Sequence, residues 1–306
     1  ITPIVYEYGS LGCSGDLAPL AHCALALMGE GDVRLADGTK TPAADALAAA
    51  GIPPLILAEK EGLALINGTD GMLGMLCLTL VDLANLITTA DIATAMTLEG
   101  LRGTPTVFAD DLQQLRPHPG QARCAANIRT LVADSGILAT AHAEFQRNHV
   151  QDAYSIRCSP QVTGAVRDTA DYATTVANRE LAAAIDNPVV TLDGRVVSNG
   201  NFHGAPIAYV LDFLAIAVAD LASISERRTD RFLDVARNRG LNAFLADDPG
   251  VDSGHMIAQY TQAGIVSELK RNATPASVDS IPSSAMQEDH VSMGWSAGRK
   301  LRRSID

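Results

Sequence analysis

The chain has 306 residues, 47% of them hydrophobic and 4% aromatic, enough apolar surface for one large domain or two smaller ones. Its net charge of −12 argues against a general phosphate-binding surface, and so against nucleic acid as a partner. Five cysteines (Cys13, Cys23, Cys77, Cys124, Cys158), odd in number and without a C-x-x-C pair, suggest neither a disulfide framework nor a zinc site and fit a reducing, cytoplasmic setting.

Abundant Ala and Leu with little β-branched alternation predict a mainly helical protein. No basic stretch followed by an apolar one opens the chain, so no secretory leader is expected. The first residue is Ile rather than Met, which leads us to expect a piece of a longer or processed chain. Residues 9–15 form a glycine-rich turn, and a helix follows from an N-cap at Asp16 to Met28, ended by Gly29, with Pro19 in its first turn. Residues 30–58 read as irregular, with a hairpin at Asp37-Gly38 and a short helix over 43–50. Asn67-Gly-Thr-Asp70 opens a long apolar helix running to about Glu99. Met72, Leu73, Leu76, Leu80, Leu83 and Ile87 keep helical spacing, but Met75, Leu78 and Val81 populate other faces, which predicts a place in the middle of a bundle. Helices are expected at about 121–149 and 161–183, then a hairpin over 187–198 turning at Asp193-Gly194. The apolar segment 207–224 approaches the length of a membrane span. Asp212 and Asp220 inside it, without flanking basic clusters, predict a buried soluble helix and no membrane partner. Helices at about 253–272 and 287–304 complete the series, with no internal repeat or linker. The expected fold is all-α: one helical domain over 1–306, with long central helices in an up-down bundle and small β-hairpins in the connections.

Polar, glycine-rich stretches precede apolar helices at 9–16, 67–71 and 199–204, and two more polar clusters lie at 151–157 and 287–293. Several helix N-termini meeting at one point would stabilise an anion, although each stretch alone reads as an ordinary cap or turn. Ser14 is not a hydrolase nucleophile: the order Gly12-Cys13-Ser14-Gly15-Asp16 lacks the G-x-S-x-G spacing and follows no convincing strand.

Gly12-Cys-Ser-Gly-Asp-Leu-Ala-Pro-Leu20 resembles the signature of the aromatic amino acid ammonia-lyases and aminomutases, which act on histidine, phenylalanine or tyrosine. Leu65-Ile-Asn-Gly-Thr69, Gln151-Asp-Ala-Tyr-Ser-Ile-Arg157, Gly200-Asn-Phe-His203 and Gln287-Glu-Asp-His-Val-Ser-Met293 match further motifs in the expected order, the last being closest to the histidine branch. Cys13 stands where the family more often has Ala, and Ala153 where Pro is common. Family members extend beyond both ends, so the resemblance implies a truncated chain. The family's catalytic tyrosine loop and its ring-binding histidine would precede residue 1, and Tyr6 and Tyr8 are in the wrong place to be that base.

The resemblance implies that Cys13, Ser14 and Gly15 cyclise into 4-methylideneimidazol-5-one (MIO), with loss of two waters and no external cofactor or metal. Asn67 would hydrogen-bond that group, and Tyr154 would donate to it or to an anionic intermediate, its alternative being a core tyrosine. Arg157 would hold the substrate carboxylate in a polar pocket with Gln151, and Phe202 would pack the ring. Glu288 would read an imidazole, since beside a plain phenyl ring a carboxylate is desolvated at about 2 kcal/mol or more. His22, His203 and His290 lack the spacing of a metal site and read as structural or as supporting residues behind the site. The implied reaction is elimination of ammonia from L-histidine to trans-urocanate, in a homotetramer with shared active sites. An aromatic 2,3-aminomutase, a phenylalanine or tyrosine ammonia-lyase, and a non-catalytic helical scaffold remain the alternatives.

Overall fold

Helical spacing in the sequence becomes helix along most of the chain. The computed structural model describes residues 1–145 and 150–306, with 142–145 described in the backbone alone. The all-α class holds: long helices are joined by short helical turns and small antiparallel hairpins. The longest are Asp70–Gly100, Ser159–Leu181 and Ala205–Leu233.

Three expectations are corrected. The helix foreseen at 121–149 is two helices, Pro119–Leu131 and Gly136–Phe145, because Ser135 Oγ accepts the Leu138 N–H at 3.2 Å and restarts the helix. The remaining positions, 146–149, lie outside the described residues. The last helix begins only at Gly294, since Ser283 and Glu288 pair through their backbones and the Val291 N–H goes to Ser280 Oγ. Asp16 precedes the Leu17–Leu27 helix but does not cap it. Its carboxylate accepts the Met72 N–H at 2.7 Å, at the start of Asp70–Gly100, where free N–H groups favour an anion.

The chain divides into two compact units. The first comprises Ile1–Leu78, Thr174–Asp212 and Pro275–Arg303. In it the expected hairpin, Asp32–Arg34 with Lys40–Pro42, gains a third strand, Thr2–Pro3, too short to show any alternation in the sequence. Val33 is fully buried against Ala26, Ala43 and Ala46. Val189–Val190 and Val196–Val197 form the second hairpin, about the Asp193-Gly194 turn.

The second unit comprises Thr79–Ala173, Phe213–Thr274 and Ser304–Asp306. Its core gathers Leu98, Leu101, Phe108, Cys124, Ile128 and Ile156. Among them sits a buried polar cluster: Asp91 accepts from Cys124 Sγ at 3.1 Å and Asn127 Nδ2 at 2.6 Å, and pairs with the Arg167 guanidinium.

Neither apolar helix is buried all round. Leu78, Val81 and Met96 on Asp70–Gly100 are exposed, as are Tyr209, Phe213 and Ile216 on Ala205–Leu233. Both helices are long and apolar enough to cross a membrane. Met72, Leu76, Leu83 and Leu98 of the first and Ile207, Leu211 and Leu214 of the second are nonetheless fully buried within the chain.

Candidate active site

Six of the nine residues singled out in the sequence fall in the first unit and three in the second. In the first unit the tripeptide Cys13-Ser14-Gly15 lies between two segments remote in sequence. On one side the Asp16 N–H donates to the Gly68 carbonyl at 2.7 Å. On the other, residues 292 and 293 run along the turn, with Ser292 Oγ donating to the Gly12 carbonyl at 3.2 Å and the Met293 N–H to the Leu11 carbonyl at 2.9 Å.

That second segment delivers Glu288. Ser14 Oγ donates to its Oε1 at 2.7 Å, while Ser283 and Ser284 donate to Oε2 at 2.7 and 2.6 Å. The Ser284, Ser283 and Ser14 hydroxyls stabilise the charged form and bring its pKa down to about 2. The loop between Ser283 and Glu288 carries three successive left-handed residues, Ser284, Ala285 and Met286 (φ 50°, 54° and 72°). Such angles are costly for side chains with a Cβ and persist where surrounding bonds hold them. Here both ends are pinned, by the Ser283 N–H to the Glu288 carbonyl at 2.9 Å and by the two serine hydroxyls on the carboxylate.

Asn67 is buried at 2% exposure, with Nδ2 donating to the Asn187 carbonyl at 2.9 Å and to Asp186 Oδ1 at 3.3 Å. Asp186 is in turn ion-paired with Lys60, whose hydrogen bond helps to keep the carboxyl below its usual range against the opposing effect of burial. With both acceptors taken up by Nδ2, the amide orientation is settled and Oδ1 is left buried without a donor. Phe202 is half-buried, next to His203. The His203 ring stacks on His290, two residues beyond Glu288, with Nε2 and Nδ1 3.2 Å apart. The Ala205 N–H donates to His203 Nδ1, so the proton between the two rings is on His203 Nε2.

In the second unit Gln151 and Tyr154 are exposed, and the Arg157 guanidinium lies 4.5 Å from the centre of the Tyr154 ring. Arg157 Nε donates to the Asp152 carbonyl at 2.9 Å, which fixes the side chain along the short Tyr154–Arg157 helix.

Sequence reading missed Ser283, Ser284, Lys60 and Asp186, which hold Glu288 and Asn67 in place. The Ser283-Ser284 pair was visible five residues ahead of Glu288, but hydroxyls in a loop ordinarily bond their own backbone. Lys60 and Asp186 are 126 residues apart, with no local pattern linking them.

Residues 13–15 fit closure into MIO. A Cβ at residue 15 would overlap the Gly68 carbonyl oxygen, and φ there is +82°, so only glycine can approach this closely. Asp16, with no exposed surface, accepts from Ser10 Oγ and from the Met72 N–H, both at 2.7 Å, and fixes the C-terminal side of the turn. Ser14 is the residue whose hydroxyl must leave, and that hydroxyl has a defined acceptor.

Comparison with known proteins gives the family. A family model described as aromatic amino acid lyase matches residues 1–306. A histidine ammonia-lyase of Streptomyces coelicolor is 68% identical over 306 residues, all of this chain and 59% of the relative. The crystal structure of histidine ammonia-lyase from Trypanosoma cruzi superposes with a TM-score of 0.88 at 42% identity, covering 99% of this chain and 56% of that one. That of tyrosine aminomutase from Streptomyces globisporus gives 0.93 at 41% identity, covering 100% and 60%. The chain thus spans about three fifths of the length of the curated relatives it matches. With the family match running from the first residue to the last, the chain belongs to the aromatic amino acid lyase family.

Proposed function

We propose that the protein carrying this chain eliminates ammonia from L-histidine to give trans-urocanate. The observation that carries the reading is the Glu288 carboxylate, charged and 2.7 Å from Ser14 Oγ. A carboxylate there accepts an imidazole N–H but gains nothing from a phenyl ring. The relatives named histidine ammonia-lyase, at 67–68% identity over the whole chain, support the same substrate.

MIO, once formed from Cys13-Ser14-Gly15, supplies an electrophilic carbon that no encoded side chain offers. The encoded side chains bind and orient. Glu288 receives the imidazole, and Phe202 packs against its face. By the family resemblance, Arg157 with Gln151 beside it is suited to pair with a carboxylate, and the Tyr154 hydroxyl to donate a proton or hydrogen bond to an anion. Asn67 is locked through Nδ2 by Asp186 and the Asn187 carbonyl, which leaves Oδ1 as the part of the amide still open to a donor. The proton on the substrate β-carbon is taken by a tyrosine that the family carries ahead of the tripeptide, outside these 306 residues.

A homotetramer with shared sites accounts for the exposed Leu78, Val81, Met96, Phe213 and Ile216, because apolar helical faces of this size call for a protein partner. Free thiols at all five cysteines suit a cytoplasmic setting.

The test is product analysis of the protein, extended to the length of its relatives, with histidine, phenylalanine and tyrosine. Urocanate from histidine, with little product from the other two, is expected; preferential turnover of phenylalanine or tyrosine would sink the reading. The 41% identity to a tyrosine aminomutase over the whole chain favours a second reading, in which the amine returns to the β-carbon. A β-amino acid among the products would establish it.

A further inference from the structure

The Ser14–Glu288 hydrogen bond joins the atom that must leave during maturation to a residue so far assigned only to substrate. We propose that Glu288 also acts in maturation: its Oε1 holds the Ser14 hydroxyl as the leaving group while residues 13–15 close. This rests on the reading of those residues as the MIO precursor.

The chemistry needs such a hold. In ring closure the Gly15 nitrogen bonds to the Cys13 carbonyl carbon. The Cys13 oxygen departs as water with the amide hydrogens of Gly15 and Ser14, leaving a carbon–nitrogen double bond. In the second dehydration the Ser14 Cα hydrogen leaves as a proton and its electron pair forms the Cα=Cβ bond. The Cβ–Oγ bond breaks, and Oγ departs as water with its own hydrogen and that proton. No oxidant or reductant is required. Elimination proceeds when the Cβ–Oγ bond is aligned with the electron pair being released, whereas a free serine hydroxyl visits three staggered positions.

Glu288 selects one of them, and it is itself immobilised. Ser283 and Ser284 occupy Oε2, and the left-handed loop between Ser283 and Glu288 is closed by backbone bonds at both ends. Oε1 is therefore turned toward Ser14 by construction. The same oxygen then acquires a second use. When Oγ leaves, Oε1 loses the Ser14 hydroxyl while Oε2 keeps both serines, and acceptor capacity opens beside the newly formed group. Maturation would unmask the carboxylate oxygen that reads the substrate.

The experiment follows intact mass and absorbance above 300 nm at intervals after synthesis, in the full-length protein. The unaltered protein, Glu288→Ala, a Ser283→Ala/Ser284→Ala double variant and Ser14→Ala are compared, with circular dichroism to verify folding. Loss of two waters is expected to slow about tenfold or more in Glu288→Ala, the scale of losing a hydrogen bond to a charged group. The double variant, which frees Glu288 without removing it, should mature at an intermediate rate, and Ser14→Ala not at all. Should Glu288→Ala misfold, the double variant decides alone. A time course equal to that of the unaltered protein in the folded variants would overturn the inference and leave the proposed reaction standing. No loss of two waters in the unaltered protein would overturn both.

Discussion

Glu288 in the first unit and Asp91 in the second are both carboxylates crowded by donors, but the donors differ in kind. Asp91 is 1% exposed and paired with a guanidinium, with a thiol and an amide on its remaining positions. Glu288 is half-buried and held by three neutral hydroxyls, with the neutral Cys13 thiol also beside it. Neutral donors stabilise a charge without cancelling it, so Glu288 keeps a negative charge that an incoming N–H can use. Arg167 cancels that of Asp91, and with the Cys124 thiol pushed up by burial beside it, the cluster is inert and structural.

The comparison breaks at its root if the hydroxyl facing Glu288 is dispensable. Ser14→Ala should abolish turnover and the loss of two waters. The side chain is partly buried and bonded to a carboxylate, so a stability cost of about 1–2 kcal/mol is expected rather than none. Turnover in that variant would contradict the assignment of the tripeptide.

The next largest effect concerns Asp91. Arg167→Met leaves a buried carboxylate without its cation and should cost about 3–5 kcal/mol in urea unfolding. Glu288→Gln, in a partly exposed site where a carbonyl acceptor is kept, should cost less, about 1–2 kcal/mol. Equal losses would erase the distinction between a structural and a functional carboxylate.

Glu288→Gln should instead show in selectivity. Histidine loses a charge-assisted contact, about 1.5–3 kcal/mol or ten- to a hundredfold in kcat/KM per matured site. Phenylalanine loses only an unfavourable neighbour, so its poor turnover should hold level or rise. Steady-state kinetics on both substrates decide it, and parallel losses would mean that the charge does not read the ring.

The two carboxylates also differ in how legible they were. Glu288 sits in a motif, so its residue type alone suggested chemistry. Asp91, Cys124 and Arg167 occupy ordinary positions on three helices, and only packing brings together residues 33 and 76 positions apart. Helical periodicity and the Asp-Gly turns were sufficient for the long helices and both hairpins, since those signals are local. The break at Ser135 and the late start at Gly294 were not visible, because each depends on where one hydroxyl spends its bond. Asp16 looked like a local cap for the same reason, and its true partner is 56 residues away.

Asp16 sharpens the comparison at the level of pH. Burial raises its pKa from 3.8 to about 6, with Asp70 adding to the shift and Ser10 and Met72 opposing it. Glu288 moves oppositely, to about 2. The folded chain therefore holds the Asp16 proton more tightly than the unfolded chain does. The stability this confers is present below pH 3.8 and is lost as pH rises to about 6. For Glu288 the contribution is complete above pH 4.5 and is lost as pH falls toward 2. Many carboxylates titrate in this range, so the measurement is a difference: urea unfolding of Asp16→Asn against the unaltered protein across the window. Asparagine has no proton to lose there, so the variant's deficit should shrink as pH rises from 3.8 to about 6, by at most about 1.4 kcal/mol per pH unit. A deficit constant across that window would mean that Asp16 is already charged throughout it, held by Ser10 and the Met72 N–H strongly enough to offset its burial.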